Sequence, residues 1–256
     1  MIKPKVIIIA AGQGRRLSPV TEDTPKCLLK VGEKSILEYQ LEVYRSEGIH
    51  DISLIKGFQK EKINFSGIKY FINDNYRNNN ILNSLMCAEN EMDGEFIAAY
   101  SDIIFEREVV RDLAASESDI SVVVDTDWEK SYVGRSEHSA GEAEKVIFNE
   151  DHDIVEIGKI MMKEGKVGGE FIGMIKCSPG GAKKFRRYFH LAKEKFHQRP
   201  FIRAKNFEDA YLTDLIQFMV DQGEKVKCLL IKGGWFEIDT VEDFERVKAV
   251  LKTGGV

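Results

Sequence analysis

The apolar positions of this chain fall into short β-branched runs separated by longer stretches with helical spacing. Val6-Ile7-Ile8-Ile9 is the first run, unbroken and followed by Gly12, the pattern of a strand buried on both faces. Residues 35–48 then carry Ile36, Leu37, Leu41, Val43 and Tyr44 on one helical face, with Ser35 as N-cap and Gly48 as stop. Strands are predicted over 51–56, 68–72 and 95–100, with a helix over 81–92 before the last. Strand alternating with helix predicts an α/β fold: a mostly parallel, Rossmann-like sheet sandwiched by helices. Ligands of such sheets sit at the carboxyl ends of the strands.

The second half changes character. Residues 120–124 read as a central strand, and 143–148 and 154–157 as short strands around the polar turn Asn149-Glu150-Asp151-His152-Asp153. A strand follows over 170–176, and Ser178-Pro179 opens a helix reaching about His197. Helix is predicted again over 207–222, strand over 226–231 and a closing helix over 241–251. There is no internal repeat and no Ser/Pro-rich linker, so residues 1–256 read as one unit whose halves meet near residue 120.

The chemistry concentrates just after the first strand, in A-A-G-Q-G-R-R-L-S-P-V-T-E-D-T-P-K, from Ala10 to Lys26. Gly12 and Gly14 allow the backbone to approach a ligand and to present N–H groups. Arg15, Arg16 and Lys26 add positive charge suited to phosphate oxygens. The string is not a P-loop, which needs G-x-x-x-x-G-K-[ST]. Leu17 stands where a dinucleotide fingerprint needs its third glycine, which counts against a nicotinamide-dependent dehydrogenase. Two carboxylates stand out elsewhere. Asp102 directly follows the strand Phe96-Ile97-Ala98-Ala99-Tyr100, and Asp239 lies in Trp235-Phe236-Glu237-Ile238-Asp239-Thr240 before the closing helix. Each alone has an ordinary reading, as a turn former or an N-cap. Together, on separate loops, they can hold one Mg²⁺.

Composition narrows the partners. Hydrophobic residues make up 43% and charged residues 31% of the 256, and the formal net charge is −5. There is thus no general basic field for nucleic acid, and a phosphate ligand must be held by local charge. The four cysteines form no C-x-x-C pair and the histidines show no metal-type spacing, so free thiols are expected. No apolar run approaches the roughly 18 residues that span a bilayer, and there is no signal-peptide pattern. The expectation is a cytoplasmic protein without membrane insertion.

The full string G-x-G-x-R-L-x-P-x-T followed by P-K resembles the signature of the nucleotidylyltransferases that activate sugar phosphates and related phosphates. Asp209-Ala210-Tyr211-Leu212-Thr213-Asp214 resembles the family's E/D-x-Y-L-T-D helix start, and Gly169-Glu170-Phe171-Ile172-Gly173 its acceptor-pocket strand. Asn78-Asn79-Asn80-Ile81-Leu82-Asn83-Ser84-Leu85 is similar to the small cytidylyltransferases acting on phosphocholine, inositol phosphate or aminoethylphosphonate. The resemblance runs from Val6 to about Leu251 and is vague between Thr126 and Phe148.

It implies a nucleotide-binding half, about 1–120, and an acceptor-binding half with a small lobe, about 121–256. It implies transfer from an NTP, CTP first, to a small phosphate or phosphonate acceptor, releasing pyrophosphate. Arg16 and Lys26 would be catalytic, neutralising the triphosphate. Ala10, Ala11, Gly12, Gln13, Gly14, Asn80, Ser84 and Asp102 would join them in binding the nucleotide. Lys159, Glu170 and Asp209 would meet the acceptor, and Asp102 and Asp239 would hold Mg²⁺. Ser84, with Gln13, Asn80 and Asn83, would read the base, while Arg15 would face solvent; apart from the resemblance, the ordinary reading of Asp209 and Asp214 is a solvated helix face. The acceptor's oxygen is already ionised at neutral pH, so no general base is required. The alternatives are a sugar-1-phosphate uridylyl- or thymidylyltransferase and, from another class, a non-catalytic nucleotide-binding regulatory protein. A homo-oligomer is compatible with the sequence.

Overall fold

The computed structural model describes residues 3–252. Strands β1 (Lys5–Ala10), β4 (Ile52–Lys56), β5 (Ile68–Ile72) and β6 (Phe96–Tyr100) form the parallel part of the sheet, in the order β6-β1-β4-β5. Between β1 and β4 lie a two-residue hairpin pair, β2 (Lys30–Val31) and β3 (Lys34–Ser35), and helix α1 (Ile36–Ser46). Ser35 and Glu38 close a capping box on α1, as the Ser35 N-cap reading anticipates.

The sheet continues past β6 through β11 (Gly169–Cys177), which runs antiparallel to it, and then β8 (Ile120–Asp125) and β12 (Lys227–Ile231). The hairpin of β9 (Lys145–Phe148) and β10 (Ile154–Gly158) attaches to the start of β11. Because β11 is reversed, its first residues lie at the same edge as the carboxyl ends of β6 and β8. That edge therefore collects Asp102, Asp125 and Glu170 from three different strands.

Alternation along the strands divides the core. Ile7, Ile9, Phe96 and Ala98 face α2 (Ile81–Leu85), α4 (Pro179–Phe196) and α5 (Leu212–Asp221). Val6, Ile8, Ile97 and Ala99 face α1 and α3 (Arg107–Ala115). Both faces are covered, as buried β-branched runs require.

Several elements differ from the sequence expectation. The 81–92 helix ends at Leu85 and continues as a 3₁₀ turn kinked at Ala88. The 207–222 helix is two pieces, a 3₁₀ turn Phe207–Asp209 and then α5, with Tyr211 extended between them. Asp214 is not on a solvated face: it is buried, accepting from the N–H groups of Tyr211 and Arg203. Helix α3 is an addition to the predicted elements, and its buried Val109, Val110 and Leu113 have helical spacing. Also unread were β7 (Ile103–Phe105) and β13 (Trp235–Glu237), too short for a period to register. The closing helix is α6 (Val241–Lys252).

Candidate active site

The β7–β13 pair brings the two carboxylate loops together. Ile103 pairs with Glu237, and the Ile238 N–H donates to the Asp102 carbonyl at 3.0 Å. Asp239 then follows directly. Its ordinary reading as an N-cap does not hold, because Thr240 and Asp243 exchange the capping bonds of α6. Asp239 is left for the cleft. Leu17, fully buried, packs in one cluster with Ile238 and Phe244. The residue that breaks the dinucleotide fingerprint thus fastens the first loop to the Asp239 loop.

Lys26 joins the two acids. Its Nζ donates at 2.7 Å to Asp102 Oδ2 and at 2.7 Å to Asp239 Oδ1. Burial alone would push its pKa down, but Asp102 and then Asp239 outweigh that and hold it above the ordinary lysine value. Burial would likewise raise Asp239, but Lys26 and Arg16 hold it below the usual carboxylate range. Arg16 bonds both Asp239 and Glu142. Asp102 Oδ1 is buried without a partner among the described residues. Gly14 adopts a left-handed φ of 61°, and a Cβ there would stand 3.1 Å from Lys26 Cβ, so a side chain would crowd the lysine.

The rest of the cleft, which encloses about 250 Å³, is acidic and aromatic. Glu144, Glu170 and Glu237 face it with Tyr100, Tyr132, Tyr211 and Trp235. Glu170 is 4% exposed; its Oε1 accepts from the Tyr132 hydroxyl, and its Oε2 is buried without a partner among the described residues. Burial first, then the charges of Glu237 and Glu144, push its carboxyl up to about 8 against the pull of Tyr132 and Arg135. Burial also raises Glu144, which accepts from Thr213 Oγ1 at 2.8 Å and from Tyr100 at 3.2 Å. Glu237 is raised by burial and then by Asp239 and Asp102. Gly173, with φ 85°, makes room for the Tyr100 ring: a Cβ would come within 2.5 Å of it. His138, Glu237 and Asp239 offer ligand atoms within 4.8 Å of one another.

Among the residues singled out by sequence, Arg16, Asn80, Asp102, Lys159, Glu170 and Asp239 line this cleft, and Lys26 stands behind Asp102 and Asp239. Lys159 Nζ lies 4.8 Å from the centre of the Tyr211 ring. Ala10 and Ala11 are buried at the end of β1, and Gln13 accepts from the exposed Arg15. Gly12 has open space around its α-carbon. Two assignments are corrected. Ser84 is buried with its hydroxyl accepting from Asn73 Nδ2 at 2.8 Å, and it does not line the cleft. Asp209 accepts from Asn206 Nδ2 at 2.8 Å and also stays outside; its backbone carbonyl receives Asn80 Nδ2 instead. Asn83 spends its amide on the Phe207 and Glu208 carbonyls. Tyr132, His138, Glu142 and Glu144 went unnoticed, because they lie in the stretch where the resemblance is vague and where 3₁₀ turns give no period.

Residues 6–154 match the MobA-like NTP transferase domain. The chain belongs to the MobA-like NTP transferase family. This transferase is 28% identical over 250 residues to the CTP:phosphoglutamine cytidylyltransferase of Campylobacter jejuni, covering 93% of this chain and 97% of that one. It is 25% identical to the choline-phosphate cytidylyltransferase of Streptococcus pneumoniae, covering 97% and 98%. The solved structure of CTP:phosphocholine cytidylyltransferase from Streptococcus pneumoniae superposes with a TM-score of 0.77 at 24% identity, over 98% of this chain and all 100% of that one, which supports the fold. No helix among the described residues of the transferase is long and apolar enough to cross a membrane.

Proposed function

We propose that the transferase moves the cytidylyl group of CTP onto the phosphate or phosphonate of a small acceptor that also carries a cationic ammonium group. An acceptor oxygen forms the new bond to the α-phosphorus, the bond from that phosphorus to the bridging oxygen breaks, and pyrophosphate leaves. The observation that carries this reading is the polarity of the cleft. One wall holds Arg16 and Lys26 among acids, and the other holds Glu144, Glu170 and Glu237 among aromatic rings.

On the first wall, Arg16 and Lys26 are the cations that would meet the triphosphate, and neutralising it is the main task when one anion attacks another. Asp102 and Asp239 would hold Mg²⁺: both are hard oxygen donors on facing loops, and Asp102 Oδ1 is buried and unsatisfied. When bound, the ion supplies charge neutralisation at the phosphates. On the second wall, a buried carboxylate with a free oxygen among aromatic rings is the chemistry that receives an ammonium. Lys159 at the rim would take the acceptor's phosphate. The choice of CTP is supported by the names of the two full-length relatives. The test is a matrix of CTP, UTP and dTTP against phosphocholine, aminoethylphosphonate, inositol phosphate and glucose 1-phosphate, scored for pyrophosphate. Turnover with CTP and the two ammonium acceptors, at least about tenfold above UTP in kcat/KM, is expected. A preference for UTP or dTTP with glucose 1-phosphate would overturn it.

A further inference from the structure

A second cavity, of about 350 Å³, lies behind the acidic wall and shares Trp235 and Glu237 with the active-site cleft. Its acids are already committed. Asp125 accepts from the Gly233 N–H at 3.0 Å and from Trp235 Nε1 at 2.9 Å, Asp127 pairs with Lys130 at 2.6 Å, Asp243 accepts from Arg135 and the Thr240 N–H, and Glu237 lies 3.8 Å from Arg135 and 3.5 Å from His138. Two of its cations are not. Lys232 is exposed and forms no ion pair among the described residues, and Arg246 donates to the Ser131 carbonyl but meets no carboxylate there. Arg135, with a side chain 5% exposed, keeps a buried Nε without a partner. An unsatisfied buried guanidinium N–H is costly, and a bound oxyanion would satisfy it. Trp235, Phe236 and Val247 line the same space and would cover a flat apolar body. The volume suits a small organic ligand.

The partition between the two cavities is thin. Arg135 donates to His138 Nδ1 at 2.6 Å, and Arg135 lines the second cavity while His138 lines the cleft. We propose that the second cavity is an effector site for a small anion with an aromatic body, such as an aryl phosphate, and that Trp235, Glu237 and the Arg135–His138 contact pass its occupancy to the cleft. The transmission to a nucleotide rests on the proposed function; the binding does not.

The test uses the full chain labelled with 5-fluorotryptophan, whose two resonances belong to Trp128 and Trp235 and are assigned with Trp128→Phe. Phenyl phosphate is titrated, with inorganic phosphate alongside. The Trp235 resonance should shift saturably with phenyl phosphate, and Lys232→Glu and Arg246→Glu should each weaken binding by about fivefold or more. Arg16→Ala, which alters the cleft alone, should leave that affinity unchanged. Saturating CTP should change it by at least about twofold, because coupling between sites is reciprocal. The binding claim is overturned by the absence of a saturable shift, by indifference to both charge reversals, or by equal loss in Arg16→Ala, which would put the ligand in the cleft. Equal affinity for inorganic phosphate overturns the aromatic requirement. CTP bound at the cleft with no effect on phenyl phosphate overturns the coupling, and failure of CTP to bind at all overturns the proposed function instead.

Discussion

The two walls of the cleft are opposites in how their charges are matched. On the nucleotide side both cations at the cleft have acids: Lys26 spans Asp102 and Asp239, and Arg16 spans Asp239 and Glu142. On the acceptor side, Glu144, Glu170 and Glu237 crowd together, and burial holds them toward their neutral forms. On the proposed function, the charges of the first wall would exchange their present partners for a triphosphate at the cations and a divalent ion at the acids. The second wall carries more acid than countercharge: Arg135 and His138 approach Glu237 and Lys159 acts on Glu144, yet all three carboxyls stay raised. Burying carboxylates without cations is costly unless they stay protonated or a cationic ligand arrives. On the proposed function, reaction chemistry falls to the first wall and acceptor choice to the second.

The largest effect should come from breaking the first wall at its acids. Asp102→Asn and Asp239→Asn should each lower kcat by at least roughly a hundredfold, about 3 kcal/mol, with the fold intact by circular dichroism. Near-normal turnover at saturating Mg²⁺ would remove that residue from the metal site. Lys26→Ala should come next, raising KM for the nucleotide as well as lowering kcat, by tens of fold in kcat/KM. An effect on kcat alone would mean that Lys26 only orders the two acids.

The second wall should respond to pH. The Glu170 carboxyl titrates at about 8 in the folded chain, above its ordinary 4.5, so the folded state binds the extra proton between those values. Its contribution to stability is therefore complete below about pH 4.5 and lost as pH rises through about 8. Tyr132, Glu237, Glu144 and Arg135 are the charged or titratable groups around it. Urea unfolding from pH 6 to pH 9 should show stability falling, and Glu170→Gln should flatten that fall. The same ionisation should tighten an ammonium acceptor, so KM for phosphocholine should drop over that range in the native chain and not in Glu170→Gln. A smaller effect belongs to Arg15, which is exposed and bonded to Gln13. Arg15→Ala should change kcat/KM less than about twofold, and a loss equal to that of Arg16→Ala would exchange their roles.

The two walls also differ in how well they could be read from sequence. The nucleotide wall is carried by a contiguous string from Gly12 to Lys26 and by strands whose apolar runs announce themselves, so Arg16, Lys26, Asp102 and Asp239 stand out as candidates in the sequence alone. What the string could not say is that Lys26 lies between the two acids, since that depends on the three-residue pairing of β7 with β13. The acceptor wall is assembled from 3₁₀ turns, a reversed strand and a hairpin, and Tyr132, Glu144 and Glu237 converge from far apart in the chain. Ser84 and Asp209 show the opposite failure. Their motifs are in place, but one side chain is taken by Asn73 and the other by Asn206, contacts that spacing alone does not reveal.

The division of labour between the walls is tested most directly by two acceptors that differ in one atom. Phosphocholine and its neutral isostere 3,3-dimethylbutyl phosphate have the same shape and phosphate, and differ in nitrogen against carbon. With CTP and Mg²⁺ held saturating, the initial rate of pyrophosphate release should favour phosphocholine by at least about tenfold in kcat/KM, worth about 1.4 kcal/mol. Equal rates, or a preference for the neutral compound, would contradict an acidic wall that selects a cation.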